Sequence, residues 1–204
     1  MSICAGSICM TFDLCRTGCG IADVMKARDG TEYKIRTDYR VILRILRMLG
    51  DPEVCDRDKP ILLRRMFYPE SVPPGMEAEE LFESFLRCGR DAPEPGGERD
   101  FDYEQDASEI YSAFYQTYRI DLLTADMHWY QFSALLNGCF TGENALSNKI
   151  RLRHLDDGKG QHKAALERQK RAVQLRYSIS GAEKARVEQL RMRLEQGLPL
   201  DDLL

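Results

Sequence analysis

The sequence is poor in the residues and motifs from which catalytic sites are built. It holds three histidines, His128, His154 and His162, and none lies in an H-E-x-x-H motif or beside a cysteine with the surroundings of a nucleophile. It contains neither a G-x-x-x-x-G-K-S/T loop nor a G-x-G-x-x-G loop, so the backbone cradle of a phosphate site is missing. We therefore predict that the protein is not an enzyme and has no catalytic residues and no cofactor.

The spacing of metal ligands is missing as well. Four of the seven cysteines lie in the first twenty residues as C-x4-C-x5-C-x3-C, without the C-x2-C pair or the nearby histidine of a zinc site. The acidic stretch 100–106 lacks the central glycine and the final glutamate of a calcium-binding loop. We predict no metal site, and the odd number of cysteines argues against a disulfide framework.

Long apolar runs are also absent. No uncharged apolar stretch approaches the roughly 18 to 20 residues that are needed to cross a bilayer. The first twenty residues lack the positively charged start of a signal peptide, and Asp13 and Arg16 interrupt any apolar core there. We predict a flexible, cysteine-containing leader over residues 1–20, with Met10 as an alternative start, and a location in the cytoplasm.

The chain does have enough apolar material for a folded core. Its residues are 43% hydrophobic and 30% charged, a balance that is typical of globular proteins and excludes a wholly disordered chain. The charge is unevenly distributed, because residues 77–109 hold twelve acidic side chains against three arginines, whereas residues 149–176 hold nine basic side chains against three acidic ones. This polarity predicts self-association into a homo-oligomer or docking to a charged partner; two separately solvated helix faces are the alternative.

A β-hairpin is predicted over residues 21–36. Asp29 and Gly30 form a favoured two-residue turn, since glycine accepts the positive φ that such turns require. Tyr33 and Ile35 alternate with charged residues, as in a half-buried strand. Two strands alone are barely stable, so we predict that the hairpin packs on helices.

Helical periodicity covers most of the remaining chain, and the predicted fold class is mainly α. Thr37 is predicted to cap the first helix and Gly50 to stop it, while Thr124 and Gly138 are predicted to bound a later one. Helices are predicted over residues 38–49, 60–67, 76–88, 104–118, 125–137 and 181–196, and the chain is predicted to be helical and basic from about residue 143. The fourth and fifth of these carry aromatic stripes and are predicted to form an αα-hairpin at the centre of the core.

Three parts are predicted along the chain. The leader 1–20 precedes a core domain of hairpin and helices over residues 21–155, which contains a disordered, proline- and glycine-rich linker near 91–100. A basic helical C-terminal arm and tail fill residues 156–204. The basic stretch 159–176 suits contact with nucleic-acid phosphates, but the chain as a whole is acidic, so a nucleic-acid-binding regulator is the less favoured function.

Several segments, in this order, resemble the bacteriophage gene-product-fifteen family. The most specific piece is the pattern F-D-Y-x-x-D-A-x-x-I-Y-x-A-F, followed by I-D-L and by H-W-Y-x-F-x-A-L-x-x-G, at residues 101–138. The other segments that carry the resemblance are DGTEYKIRTDYR, VILRILRMLGDPEV, MFYPE, LFESFLRCGR, NKIRLRHL and RLEQGLPLDDLL, so that it covers roughly residues 24–204. The family more usually has H-W-W in the second motif, which makes Tyr130 a departure.

The resemblance implies a phage or prophage protein that is made in the cytoplasm of a bacterial host. Such proteins are typically encoded between the major tail protein and the tape measure protein, where tail assembly chaperones are usually encoded. By analogy it implies a non-catalytic chaperone that binds the tape measure protein, with the major tail protein as a further partner, and that assists tail tube assembly. A minor structural or adaptor protein of the tail is the alternative.

A client-binding surface is predicted from the aromatic hairpin and the basic arm. A tape measure is a long apolar helix, and an apolar groove with repeated weak contacts suits such a client. Plain core packing is the alternative for most of the aromatic side chains, and any that are exposed are the first candidates for client contact. The predicted partner-binding residues are Tyr111, Phe114, Tyr118, Trp129, Tyr130, Phe132, Lys163, Arg168 and Arg171.

Overall fold

The computed structural model describes residues 23–88, 90, 100–155 and 163–175, with side chains described from residue 165 in the last range. Within these residues the fold is mainly α-helical and begins with an antiparallel hairpin, as predicted. The predicted leader, most of the predicted linker and the predicted last helix lie outside the described residues. In chain order the elements are β1 (Val24–Lys26), β2 (Glu32–Lys34), α1 (Tyr39–Gly50), α2 (Lys59–Phe67), α3 (Glu77–Leu86), α4 (Ala107–Tyr118), α5 (Trp129–Thr141), α6 (Ala145–His154) and α7 (Lys163–Val173).

The hairpin pairs Met25 of β1 with Tyr33 of β2, and both side chains are buried. The predicted two-residue turn is wrong, because Ala27 donates its N–H to the Thr31 carbonyl over 2.8 Å and closes a loop of three residues. Gly30 does have the predicted positive φ, +87°. A glycine in this conformation, placed after a tight turn, forms the bulge that three-residue hairpin loops commonly contain.

Arg36, just after β2, fastens the hairpin to the end of α2. Its backbone N–H donates to the Phe67 carbonyl over 2.9 Å, and its guanidinium donates to the carbonyls of Arg65 and Met66. Carbonyls in the last turn of a helix have no intrahelical donor, so Arg36 supplies the partners that they need. The hairpin therefore packs on the helices, as predicted.

Helices α1 and α5 begin side by side at a short antiparallel bridge between Asp38 and His128. The Trp129 N–H donates to the Thr37 carbonyl across this bridge over 2.7 Å. Asp38 caps α1, because its carboxylate accepts the backbone N–H of Arg40 over 2.8 Å. The predicted cap at Thr37 is therefore wrong, and the main chain of that residue serves the bridge instead.

Helix α5 begins and ends later than predicted. Thr124, its predicted cap, lies in a turn whose N–H groups donate to the carbonyl of Asp121. His128 caps the helix instead, since its Nδ1 accepts a backbone N–H over 3.0 Å. Gly138 lies inside α5, so this predicted stop is wrong, whereas Gly50 is the last residue of α1, close to the predicted stop.

Aromatic rings fill the core between the helices. Phe132 of α5 stacks on Tyr39 of α1 and on Phe114 of α4, with ring centroids 4.7 and 5.2 Å apart. Phe67 of α2 lies 5.3 Å from Phe85 of α3 and continues the cluster. Each ring removes a large apolar area from water, so these contacts dominate the energetics of the core. The predicted αα-hairpin of α4 and α5 accordingly lies at its centre.

Candidate interaction surface

The predicted aromatic contact residues divide into a buried and a partly exposed group. Phe114 is fully buried, and Trp129, Tyr130 and Phe132 are at most 3% exposed. In the described fold these four are core residues, which was the alternative reading of the pattern, and they have no surface to offer a partner. Tyr111, which lies on α4, is half-buried.

A stacked aromatic pair on α4 combines the half-buried Tyr111 with the exposed Tyr115. The rings of Tyr111 and Tyr115 stack with centroids 6.4 Å apart and planes within 12° of parallel, and Tyr115 is 49% exposed. The carboxylate of Asp121, in the loop after α4, interacts electrostatically with the hydroxyl of Tyr111. Partial burial, and then the negative charge of Asp121, raise the pKa of Tyr111 above its ordinary value.

The loop after α4 presents an exposed leucine close in sequence to Asp121, the residue whose charge acts on Tyr111. Leu123 is 77% exposed, yet its backbone N–H donates to the carboxylate of Asp121 over 2.9 Å. The buried hydroxyl of Tyr39 donates to the carbonyl of Leu122 next to it. Because side chains on both sides hold this backbone, the exposed Leu123 is a fixed feature. We call Tyr111, Tyr115 and Leu123 the tyrosine–leucine surface.

A buried ionic cluster joins the start of α4 to α6. Asp106 is fully buried and accepts two hydrogen bonds from the Arg153 guanidinium, over 2.7 and 2.8 Å, and one from the Lys149 ammonium over 2.8 Å. Lys149 also pairs with Glu109 over 3.0 Å. Burial alone would raise the pKa of Asp106, but the hydrogen bonds from Arg153 and Lys149 outweigh it and hold that pKa below its ordinary value. We call these four residues the Asp106 cluster.

The same arginine holds the end of α7. Arg153 donates from Nε to the carbonyl of Val173 over 2.6 Å, and Gln105 donates from its side chain to the carbonyl of Gln174 over 2.7 Å. In the other direction, the ammonium of Lys170 donates to the carbonyl of Leu155 over 2.6 Å. The predicted basic arm therefore folds back on α6 over its described part.

The predicted basic contact residues are all on α7. Arg168 and Arg171 are exposed there, and Lys163 is its first residue, with a side chain outside the described set. The opposite charges that predicted self-association meet partly within one molecule, because Asp106 and Glu109 of the acidic stretch pair with Lys149 and Arg153 of the basic stretch. The predicted polarity therefore serves intramolecular packing at these positions.

Over the residues that the structure covers, no group of three or more histidine, cysteine, aspartate or glutamate side chains is arranged to hold a metal ion. In the same portion, every helix is too short or too polar to cross a membrane.

Comparison with known families identifies the family of most of the described chain. Residues 22–178 match the family described as Bacteriophage Gp15 protein. The chain belongs to this family. It is therefore a phage protein, and the Gp15 family is of a structural or assembly type and is not a known enzyme family. No curated protein and no solved structure matches the chain.

The Gp15 match contains every described element, from β1 to α7. It ends at residue 178, so it gives no support to the likeness that the sequence suggests for residues 193–204. The cysteine-rich first twenty residues lie outside it, as the resemblance implied.

Sequence reasoning missed two features of this family member. The first is the Asp106 cluster, whose acids occur in a run that is typical of a solvated linker. Its signal was the spacing, because Asp106 and Glu109 share one helix face and Lys149 and Arg153 share another. The second is the exposure of Leu123, which no sequence pattern indicates, since an apolar residue in a short loop is ordinarily assigned to the core.

Proposed function

We propose that this phage protein is a tail assembly chaperone, which binds the tape measure protein in the host cytoplasm before the tail tube polymerises around it. Membership of the Gp15 family supports a phage assembly role. The observation that carries client binding is the tyrosine–leucine surface, where apolar side chains are exposed on a fixed backbone. The major tail protein is a second proposed partner, because the tube must replace the chaperone on the same client.

The chemistry of this surface suits a long apolar helix. Tyrosine rings bury a large apolar area and keep a polar end in water, and they lose little conformational freedom on binding. Burying one side chain such as Leu123 contributes about 1.5 to 3 kcal/mol. A few such contacts give weak binding for each copy, and copies that bind side by side along one client give strong coverage that a growing tube can still displace.

The test is co-expression of the full chain with the tape measure protein of the same gene cluster, followed by pull-down and size-exclusion chromatography. We expect a soluble complex that holds many copies of this chain per tape measure. Replacing Tyr115 and Leu123 together by serine is expected to reduce the retained chain by about tenfold or more. Ile61→Ser is the matched control, since Ile61 is 53% exposed on α2, outside the tyrosine–leucine surface.

Circular dichroism would establish that both variants keep the helical content of the native chain. Equal loss of binding in the Ile61 variant would show that the tyrosine–leucine surface is not the contact. If the native chain forms no complex and the tape measure protein still aggregates, the chaperone proposal is wrong. Stoichiometric amounts of the chain in purified virions would then favour a minor structural or adaptor role in the tail.

A further inference from the structure

We propose that α7 exchanges between copies of this chain, so that α7 of one copy occupies the site on α6 of another. That site, called here the α7 seat, consists of the Gln105 side chain, the Arg153 guanidinium and the Leu155 carbonyl. The exchange goes beyond the proposed function and needs no client, because every group that takes part belongs to this chain.

Helix α7 is held weakly. Each helix from α1 to α6 contributes at least two buried residues to the fold. Among the α7 side chains that are described, none is buried, and its apolar residues Leu166 and Val173 are only half-covered. Since apolar burial is the main force that holds helices together, α7 leaves its place at a lower cost in free energy than any of the other six.

The α7 seat is formed independently of α7. The guanidinium of Arg153 is fixed by the buried Asp106 and also donates to the carbonyl of Asp100 over 2.8 Å. The contacts of Arg153 to Asp106 and Asp100 involve no residue of α7, so they hold the guanidinium in place when α7 is absent. Without α7, Arg153 would lose its bond to the Val173 carbonyl, and the Leu155 carbonyl would lose its bond from Lys170. The α7 helix of another copy brings the same groups and restores both bonds.

The α7 seat selects the C-terminal end of this particular helix. It takes the carbonyls of Val173 and Gln174, where the helix dipole is negative and a guanidinium binds well. It also takes a lysine, Lys170, within one turn of those carbonyls. A second copy of the chain brings all these groups at their correct spacing, so the contact between copies reproduces the contact within one copy. Exchange of an identical element is a low-cost route to association for this reason.

The connection between α6 and α7 is long enough for α7 to reach another copy. Residues 156–162 connect α6 to α7, and a chain of this length spans at most about 25 Å when fully extended. That distance allows α7 to reach the seat of an adjacent copy while α6 stays in its own core. Two copies that exchange reciprocally give a closed dimer, whereas copies that pass α7 onward in one direction give an open row.

The experiment uses two tagged full-length chains of different mass, made together in one cell. Serine replaces Cys55 and the four cysteines of residues 1–20 in both, while the buried Cys88 and Cys139 are kept. One chain carries Gln105→Cys and the other Gln174→Cys, and a short bismaleimide is added to the purified mixture. The control mixture pairs Gln105→Cys with Gln116→Cys, because Gln116 is exposed on α4 outside the seat.

We expect a cross-link between the two chains at 105 and 174 at about ten times the control yield or more, because the exchanged contact raises the local concentration of the two thiols. Light scattering of the native chain is expected to show species larger than a monomer. A strictly monomeric native chain would overturn the proposal if positions 105 and 174 cross-link only when both cysteines are placed in one chain. So would an oligomer without the cross-link between chains, since its copies would then associate through another surface.

A second measurement does not depend on thiol chemistry. Deleting residues 157–159 shortens the connection and hinders α7 from returning to its own α6, while the seat and the helix both remain. Exchange predicts that this deletion shifts the mass distribution toward larger species as protein concentration rises. A monomer that persists at all concentrations with the helix detached would contradict it.

Discussion

At the scale of single residues, the hydroxyl of Tyr118 sets the distance between α4 and α5. It donates to the carbonyl of Leu135 over 2.9 Å and lies directly over Gly138. A Cβ at position 138 would lie 2.2 Å from that hydroxyl oxygen but 3.6 Å from the ring carbon that carries it. The glycine inside α5 is therefore required by one oxygen atom on α4 and not by the helix backbone.

Gly138→Ala is expected to lower the free energy of unfolding by about 1 to 3 kcal/mol through overpacking. Adding Tyr118→Phe to that chain leaves an ordinary van der Waals contact and is expected to recover most of the loss, as measured by urea unfolding. Gly50→Ala is the control, since a Cβ there meets nothing within 4 Å, and we expect it to stabilise α1 by about 0.5 to 1 kcal/mol. A double variant no more stable than Gly138→Ala would contradict the role of the hydroxyl.

Asp106 is the second residue with a large predicted effect. Asp106→Asn leaves Arg153 and Lys149 without their buried counter-charge, and we expect a loss of about 3 to 5 kcal/mol in urea unfolding at neutral pH. Asp126→Asn is the control, because that carboxylate is 96% exposed in its pair with Arg40 and its loss is expected to cost about 1 kcal/mol or less.

The pH dependence of the Asp106 effect follows from its lowered pKa. A carboxylate with a depressed pKa stabilises the folded state above its unfolded-state pKa, near 3.8, and this contribution is lost as pH falls through the lower folded-state value. The difference between the native chain and Asp106→Asn is therefore expected to shrink progressively as pH falls below about 4. A difference that stays constant to the lowest pH at which the protein folds would show that Asp106 acts by shape alone.

At the scale of elements, the start of α5 separates the predicted cap from the observed one. His128→Ala removes the acceptor for the first turn and is expected to cost about 1 kcal/mol, whereas His128→Asn keeps an acceptor and is expected to recover most of it. Thr124→Ala, at the predicted cap, is expected to change the free energy of unfolding by about 0.5 kcal/mol or less. Urea unfolding of the three variants decides the matter, and a larger effect at Thr124 would restore the predicted helix start.

The sequence was sufficient for the type and order of the elements, because hydrophobic periodicity is local. The stripe that begins at Tyr39, the proline at the start of α2 and the aromatic stripe around Phe114 all lie in the predicted helices. The starts of α1 and α5 were not predictable in the same way. Both depend on the bridge between Asp38 and His128, whose partners are distant in sequence, whereas Thr37 and Thr124 were predicted as caps because threonine is a residue type that favours this position.

The candidate site was predictable only in part for a related reason. Tyr111 was predicted from the aromatic stripe, but periodicity alone does not distinguish the face that packs inward, with Phe114, from the edge that remains exposed, with Tyr115. Exposure at Leu123 depends on a hydrogen bond to Asp121 within the loop and on the bond from Tyr39 to the Leu122 carbonyl, which joins the loop to α1. Such features follow from tertiary packing, so they are read from the structure and not from local sequence patterns.

At the scale of the whole molecule, internal pairing withdraws two of the nine basic side chains of residues 149–176 from use on nucleic acid. Lys149 and Arg153 are committed to Asp106, and the net charge of the chain is −4. Near 0.15 M salt we expect binding to duplex DNA no tighter than the roughly 10⁻⁴ to 10⁻⁶ M of non-specific contacts. Fluorescence anisotropy across a salt series checks this, with Arg168→Glu and Arg171→Glu together as the comparison for any binding at low salt. Tight binding that persists above physiological salt would favour a regulator instead.

The bridge between Asp38 and His128 also has a consequence for the time at which this protein folds. Its partners are ninety positions apart, so a bacterial ribosome, at roughly 5 to 20 residues per second, needs on the order of 5 to 20 s to make the intervening chain. Until then α1 and α3 lack Trp129, which donates to the Leu86 carbonyl, and Phe132, which stacks on Tyr39. The nascent chain therefore exposes its own aromatic faces during synthesis, and these faces are open to aggregation until α5 has been made.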